Sequence, residues 1–558
     1  MVATLVAWLY LFLLSWVYGS WLLVFILRVL KYERQEVDIP IPLKVILGFV
    51  FLSAAGIWFS LFLPLGWLVN LLFLLGAIFL AWRNWTSYRL DVSRFSASSC
   101  HICDFLVFMV LGIIFIFALT GASGKAVNPD TLLYHIQTIR WAETYPAVPG
   151  LANLHSRLAF NSSWLSMNAL FGFGFLFGQP LRALLGFLLV LSSWYFLTGF
   201  SDFVARKSLV GLFRLSLILV LAYVSKSEIS SPGTDVPAIL FLCLGTALYL
   251  DALDRQVVAA DVYKIFAIVL ACFAVTIKLS VLPVLAIPLL VIIKNFHRRE
   301  IIILVSLFSL FVFTPWLARN VILSGYLLYP FPQIDIFFFD WKVPAERVED
   351  TRNEVTAFAR MPSQPVAYAI QQPFSVWFKE WFRVLTGFRT VLFWAAVFSP
   401  VFVGLRYFIS TKINKDWLIL TLCSYLALLY WFISAPSFRF GIGFIAITLM
   451  LVLLLFLEII PIKPMRILGF LIFAFCLLYP GYLSFMLLQN DNLHSRLVFP
   501  TPYESPKTSV CYIDDKLLNC AEIYGWCGYD SFPCAIKIRD DLTLRGEDWA
   551  AGFRSNNP

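Results

Sequence analysis

VATLVAWLYLFLLSWVYGSWLLVFILRVL, residues 2–30, carries a single charged side chain, Arg28, in a run long enough to cross a bilayer. It is too long for the apolar stretch of a cleavable signal peptide and no basic residue precedes it, so it reads as a true span. Similar runs follow along the chain with short breaks. Spans are expected at about 3–27, 44–63, 65–82, 105–121, 180–198, 209–224, 237–252, 264–277, 279–293, 301–317, 390–406, 417–433, 441–459 and 467–488. The pair around Lys278 reads either as two short spans or as one tilted helix. The expected fold class is an all-α polytopic membrane protein with about fourteen transmembrane helices.

Composition agrees. Hydrophobic residues make up 60% of the chain and charged residues only 13%, and a water-soluble protein of that make-up would expose large adhesive patches. Lipid, by contrast, solvates such side chains. Aromatic residues reach 17%, as suits interfacial belts and lipid-facing surfaces. The net charge of +9 is not the footprint of a nucleic-acid binder, because Lys and Arg orient membrane proteins by staying cytoplasmic.

The basic residues alternate from loop to loop. Arg28, Lys31 and Arg34, then Arg83, Arg89 and Arg94, Arg206 and Lys207, Arg255 and Lys264, Lys294, Arg298 and Arg299, Arg406, Lys412 and Lys415, and Lys463 and Arg466 all fall in every second loop. Those loops are assigned inside, which places both chain ends outside. The expected division is N-terminal spans over 1–104, a membrane core over 105–460 with outer loops 122–178 and 318–388, a last span over 461–488, and an outer tail over 489–558. Nearly all residues able to do chemistry then lie on the outer face, where a membrane enzyme would keep its site.

The first outer loop, NPDTLLYHIQTIRWAETYPAVPGLANLHSRLAFNSSW, residues 128–164, is the most informative. It contains Asp130, His135, Glu143 and His155, two of the five histidines of the chain among them. Residues 131–144 suit an amphipathic helix on the membrane surface, with Leu132, Ile136 and Ile139 on its apolar face. Asp130 reads as that helix's N-cap or as a general base in a partly dry site, assisted by His135. Asp and His alone are too few ligands for a metal site. Asp235, in SPGTDVPA, is either a second cap or a second carboxylate in the same cavity. Lys278, Arg319 and Arg439 sit at outer span ends against the positive-inside bias. Each either snorkels or helps hold an anion, such as the phosphate of a lipid carrier. The second long loop, DIFFFDWKVPAERVEDTRNEVTAFARMPSQP, suggests short interfacial helices that cover a lipid head group.

Cys243, Cys272, Cys423 and Cys476 fall in spans and read as packing residues. Cys100 and Cys103 form a lone C-x-x-C, a weak zinc or redox signal. Cys511, Cys520, Cys527 and Cys534 lie in the tail. They suit an oxidising compartment, consistent with a bacterial periplasm, and Cys527–Cys534 is the pair expected first.

The ordered short motifs between about residues 105 and 460 resemble the glycosyltransferase C superfamily. They are Asp130 followed by Tyr134 and His135, TDVP before a span, TIKLS in a short span pair, PWLARN and SGYLLYP closing a span, and APSFRF. The chain departs from the plan in having three spans ahead of the acidic loop and no acidic neighbour beside Asp130. The resemblance implies a multi-pass enzyme of the bacterial inner membrane with a periplasmic active face. It would move a sugar from a polyprenyl-phosphate carrier to a glycan, lipid or protein acceptor, with inversion. Asp130, His135 and Asp235 would be catalytic, Lys278, Arg319 and Arg439 would hold the donor phosphate, and Glu143, His155 and Asn320 would bind acceptor or support the site. Metal use stays open. Two rival classes are a glycan polymerase or ligase with a lipid-diphosphate donor, and a lipid or sugar transporter. No half-to-half similarity of the transporter kind is visible.

Overall fold

The computed structural model describes residues 1–33, 37–85, 88–89, 91, 102–255, 257–410, 412–490 and 493–556. Arg34, Arg94, Cys100 and the side chain of Cys103 fall outside the described residues. The regular structure is nearly all helical. The main helices are α1 (Val2–Leu30), α2 (Ile41–Phe59), α3 (Trp67–Arg83), α4 (Ile102–Ser123), α5 (Ala183–Arg206), α6 (Leu209–Ser225), α7 (Asp235–Asp254), α8 (Val257–Ile277), α9 (Ala286–Lys294), α10 (Arg299–Ser324), α11 (Phe388–Ile409), α12 (Lys415–Ser434), α13 (Phe438–Leu457) and α14 (Ile462–Asn490). Among the described residues, eleven helices are long and apolar enough to cross a membrane. The expected spans at 65–82, 209–224 and 279–293 coincide with shorter apolar helices, Trp67–Arg83, Leu209–Ser225 and Leu279–Lys294. The chain around Lys278 is therefore two helical segments rather than one tilted helix, because Lys278 itself is extended between α8 and the 3-10 turn that leads into α9.

Lipid gives helices little hydrophobic reason to associate, so close backbone packing matters more. At the α1–α2 crossing a Cβ added to Gly19 would lie 1.7 Å from the Lys44 carbonyl oxygen, and one added to Gly48 would lie 1.8 Å from that of Ser15. Only glycine permits that approach at either site. Beside it Lys44 pairs with Asp91 at 2.7 Å, both side chains buried, and Ser20 Oγ donates to Asp91 at 3.3 Å.

Contacts between helix ends define two faces of the bundle. On one, the Met1 ammonium donates to Arg496 O at 2.8 Å, Thr501 N donates to Ser123 O at 3.0 Å, Leu65 N to Ala142 O at 2.7 Å, and Gly150 N to Ile322 O at 2.8 Å. Arg182 reaches Gly124 O and Thr501 O on the same face. On the other, Lys31 pairs with Glu300 at 2.8 Å, Tyr32 donates to Asp261 at 2.8 Å, and Ser208 donates to Asp254 at 2.9 Å. Lys294 joins Asp416 there as well. The basic loops read from the sequence gather on this second face.

The first face carries the long loops and the tail. The 318–388 loop forms the expected short helices, Ala345–Arg360, Val366–Gln371 and Phe374–Val384. The last is strongly amphipathic, with Trp377 and Trp381 buried against Phe432 and Phe393. The tail contains β1 (Thr508–Ile513), β2 (Lys516–Ala521), β3 (Cys534–Ala535), β4 (Leu542–Leu544) and β5 (Phe553–Ser555). β1 and β2 pair antiparallel, β3 adds parallel to β2, and β4 pairs antiparallel with β5. The β1–β2 hairpin turns on Asp514 and Asp515, both at positive φ, as the right-handed twist of two-residue hairpins demands. Disulfides join Cys511 to Cys520 and Cys527 to Cys534, the second being the pair expected from sequence. Cys243, Cys272 and Cys476 are free and buried.

Candidate functional site

The chain after α4 starts its next helix with a π turn, Thr131–His135, which runs on as an α-helix over Ile136–Thr144. Asp130 stands at the N-cap position, yet its carboxylate makes no capping hydrogen bond. Asn128 Oδ1 accepts from the Asp130 backbone N–H at 2.8 Å and leaves the side chain free to turn elsewhere. It turns to Arg439 at the start of α13, whose Nη2 lies 3.3 Å from Asp130 Oδ2. The same guanidinium meets Asp235, the first residue of α7, at 3.5 Å. Asp235 also pairs with Lys278, in the extended link after α8. Lys278 Nζ lies 4.0 Å from the centre of the Phe440 ring, and Arg439 packs on the Phe440 and Phe358 rings, so the cations rest on aromatic faces. Four elements distant in sequence thus bring Asp130, Asp235, Lys278 and Arg439 to one point.

His135 closes the cluster from beneath. It is 1% exposed, sits edge-on to Tyr134 at 4.3 Å, and neither ring nitrogen has a hydrogen-bond partner. Burial drives its pKa down to about 4, which outweighs the nearby Asp130 and Asp235, so the imidazole is neutral at pH 7. A buried imidazole with both nitrogens open calls for an explanation, and a ligand hydroxyl is one. Arg439 Nε makes no hydrogen bond and faces Asp235 Oδ2 at 3.5 Å as an ion pair.

Glu228, in the α6–α7 loop, is a member that the sequence reading missed. Its Oε2 accepts from Asn128 Nδ2 at 2.6 Å. Burial pushes its pKa up to about 7. Glu228 lines a cavity of about 120 Å³ together with Asp235 and Arg439. Its position seven residues before Asp235, in one outer loop of an acid-poor chain, was the available signal.

A family model matches residues 1–446, and its description is Domain of unknown function (DUF8201). The chain belongs to the DUF8201 family. No curated protein and no solved structure matches it. The DUF8201 match takes in Asp130, His135, Asp235, Lys278 and Arg439, and ends inside α13. The final helix and the disulfide-bearing tail lie beyond the matched DUF8201 residues.

The other predicted residues surround the cluster without joining it. Arg319 is buried and donates to Ser60 Oγ at 3.0 Å; among the described residues no ion pair links it to the cluster. Asn320 accepts from Asn161 at 2.9 Å and donates to Leu327 O, which pins the loop that follows α10. Ser162 Oγ in turn donates to Ile277 O, just before Lys278, so this layer supports the lysine. Burial lowers the His155 pKa to about 3, with Arg157 adding to the effect. Among the described residues no group of three His, Cys, Asp or Glu side chains is arranged to hold a metal ion.

The tail clamps the helix that carries Asp130 and His135. Cys527 N donates to Leu132 O at 2.8 Å, and Gln137 is held on both sides, donating to Gly528 O and accepting from Cys534 N. The Cys527–Cys534 disulfide therefore ties together the two strands of chain that grip Gln137. Glu143 is buried one helix face away, where Tyr529 donates to it at 2.8 Å and Arg140 approaches at 3.4 Å. Burial raises its pKa from 4.5 to about 7, against the opposing pull of Tyr529 and Arg140. Between those values the folded chain holds a proton that the unfolded chain lacks. The stabilisation tied to this proton is full below about pH 4.5 and is lost as pH rises through about 7. Wild-type protein should therefore lose more thermal stability between pH 5 and pH 8 than Glu143→Gln, whose amide does not titrate. Parallel melting profiles for the two would exclude a raised Glu143 pKa.

Proposed function

We propose that this protein is a membrane glycosyltransferase of the glycosyltransferase C type, which takes its sugar from a polyprenyl-phosphate carrier. The observation that carries the reading is the convergence of Asp130, Asp235, Lys278 and Arg439 beside the open imidazole of His135 at helix ends on one face. A lipid-borne donor arrives there along the bilayer, and a polar acceptor arrives from water. Asp130 accepts the proton of the acceptor hydroxyl. The hydroxyl oxygen forms the new glycosidic bond as the bond from the anomeric carbon to the phosphate oxygen breaks, and the configuration inverts. The electron pair leaves with the lipid phosphate, where Arg439 and Lys278 stabilise the charge. Asp235 orients both cations, and neutral His135 hydrogen-bonds the acceptor. Arg319, as it stands, supports the scaffold behind Lys278.

The same proposal gives the chain fourteen crossings. The contact of Met1 with Arg496, shortly after α14, supports an even number of crossings. The α6 helix starts beside Ser208, bonded to Asp254 on the basic face, and leads to Glu228 near Asn128 on the other; the Leu279–Lys294 segment likewise begins and ends on opposite faces, which supports counting both as crossings. With the basic loops cytoplasmic and the disulfides outside, the cluster faces a bacterial periplasm. Its partners are membrane lipids, the lipid-linked sugar and a glycan, lipid or protein acceptor. Mass spectrometry of lipids extracted from protein purified in mild detergent should find a polyprenyl-phosphate sugar, depleted in Arg439→Ala preparations. Equal recovery from both would count against a donor site at Arg439.

A further inference from the structure

Nearly all of the residues singled out for chemistry lie on one face, but a sizeable cavity opens on the other. The ends of α5, α7 and α11 and the start of α6 surround a space of about 700 Å³. That lies within the range of small-molecule sites, roughly 300–1,000 Å³. Behind its lining carboxylates Asp202 and Asp251 a further charge lies inside the bundle. Arg214, 1% exposed and more than a turn into α6, pairs with Asp202 and approaches Asp251 at 3.4 Å, while Tyr195 donates to Asp251. Charges set that far into an apolar bundle are costly and usually mark a functional cavity. Its wall is fixed by Arg406, fully buried, which donates to Leu455 O at 2.6 Å, Ser410 O at 2.9 Å and Lys412 O at 3.0 Å and pairs with Glu458.

A basic bias on one side of the membrane explains exposed basic residues; it does not explain the buried Arg214 and Arg406. The charge balance indicates what the space would accept. Each lining carboxylate already has a partner: Asp202 with Arg206 and Arg214, Asp251 with Arg214 and Arg255, Asp254 with Ser208, and Glu458 with Arg406. Lys207 and Lys412, on opposite rims, have no carboxylate partner among the described residues. Five basic side chains, Arg206, Lys207, Arg255, Arg406 and Lys412, line the space against four carboxylates. The two lysines left without a carboxylate suit an anion with several acceptor oxygens, the chemistry of a phosphate group. We propose that this cavity is a second binding site, for a phosphate-bearing anion, either the head group of a lipid in the adjoining leaflet or a soluble phosphate. The proposal stands apart from the assignment of the outer cluster.

The test uses the full-length protein in nanodiscs. One arm measures equilibrium binding of radiolabelled inorganic phosphate in phosphatidylcholine discs. The other counts phosphatidylglycerol retained by the protein in native mass spectrometry from mixed discs. Saturable phosphate binding identifies a soluble ligand; retention of phosphatidylglycerol without phosphate binding identifies a lipid. In whichever arm binds, Lys207→Ala/Lys412→Ala should weaken binding at least tenfold, and Lys125→Ala on the other face should bind as wild type. Absence of saturable binding in both arms, wild-type binding by the double variant, or an equal loss in Lys125→Ala would each overturn the proposal.

Discussion

Asp130→Asn protein is expected to fold, to bind lipid-linked donor, and to lose sugar transfer by a factor on the order of 100 or more. Folding should survive for two reasons. The Asp130 carboxylate makes no capping hydrogen bond that the change would remove, and Asn caps a helix about as well as Asp in any case. The backbone N–H that fixes the position is held by Asn128 and is untouched. An amide oxygen also still accepts from Arg439, so the cation stays in place for the donor phosphate. What disappears is the negative charge that would take the acceptor's proton. Normal transfer by well-folded Asp130→Asn would remove Asp130 from the mechanism and move the base to Asp235 or Glu228, the remaining carboxylates of the cluster.

The second large effect concerns the cations. Arg439→Ala leaves Asp130 and Asp235 near one another without the guanidinium between them, and Lys278→Ala strips Asp235 of its closest partner. Removing one charge-assisted contact costs about 1.5–3 kcal/mol, so donor affinity should fall roughly 10- to 100-fold in each variant. Arg439 is partly solvated, with its side chain 38% exposed, which places its effect toward the lower end. Arg439→Lys should be intermediate, because a point charge cannot span two carboxylates as a planar guanidinium does. Titration of a polyprenyl-phosphate sugar into each variant measures this. Wild-type affinity in both alanine variants would mean that the cations only neutralise their carboxylates.

The spans and the acidic loop were legible because their signals are local. A charge-free run declares a helix in lipid, and Asp130, Asp235, Lys278 and Arg439 stand out as ionisable groups at span ends. That same signal could not separate Arg439 from Arg319. Both lie near a helix end on the face that carries the long loops, but one turns toward two carboxylates and the other toward Ser60, and only helix packing decides which. Phe440 was illegible for the same reason, and Glu228 carried only the weak signal of its place in the Asp235 loop, since their roles come from neighbours far away in sequence. The tail read as a small disulfide-bearing appendage, yet its grip on Leu132 and Gln137 depends on backbone groups that leave no trace in the sequence. The cavity on the basic face was hidden because Lys207, Arg255, Arg406 and Lys412 already had an explanation in the alternation of basic loops, and nothing local tells that their helix ends enclose one space.

On the function proposed above, the cluster catalyses displacement from a lipid monophosphate. Purified protein in proteoliposomes, supplied with matched polyprenyl-monophosphate and polyprenyl-diphosphate sugars and a cell-envelope acceptor fraction, tests it most directly, with release of the lipid phosphate and the anomeric configuration of the product as readouts. Turnover of the monophosphate-linked donor with inversion, abolished in Asp130→Asn, is the expected result. Turnover confined to the diphosphate-linked donor, retention at the anomeric carbon, or no dependence on Asp130 would contradict it.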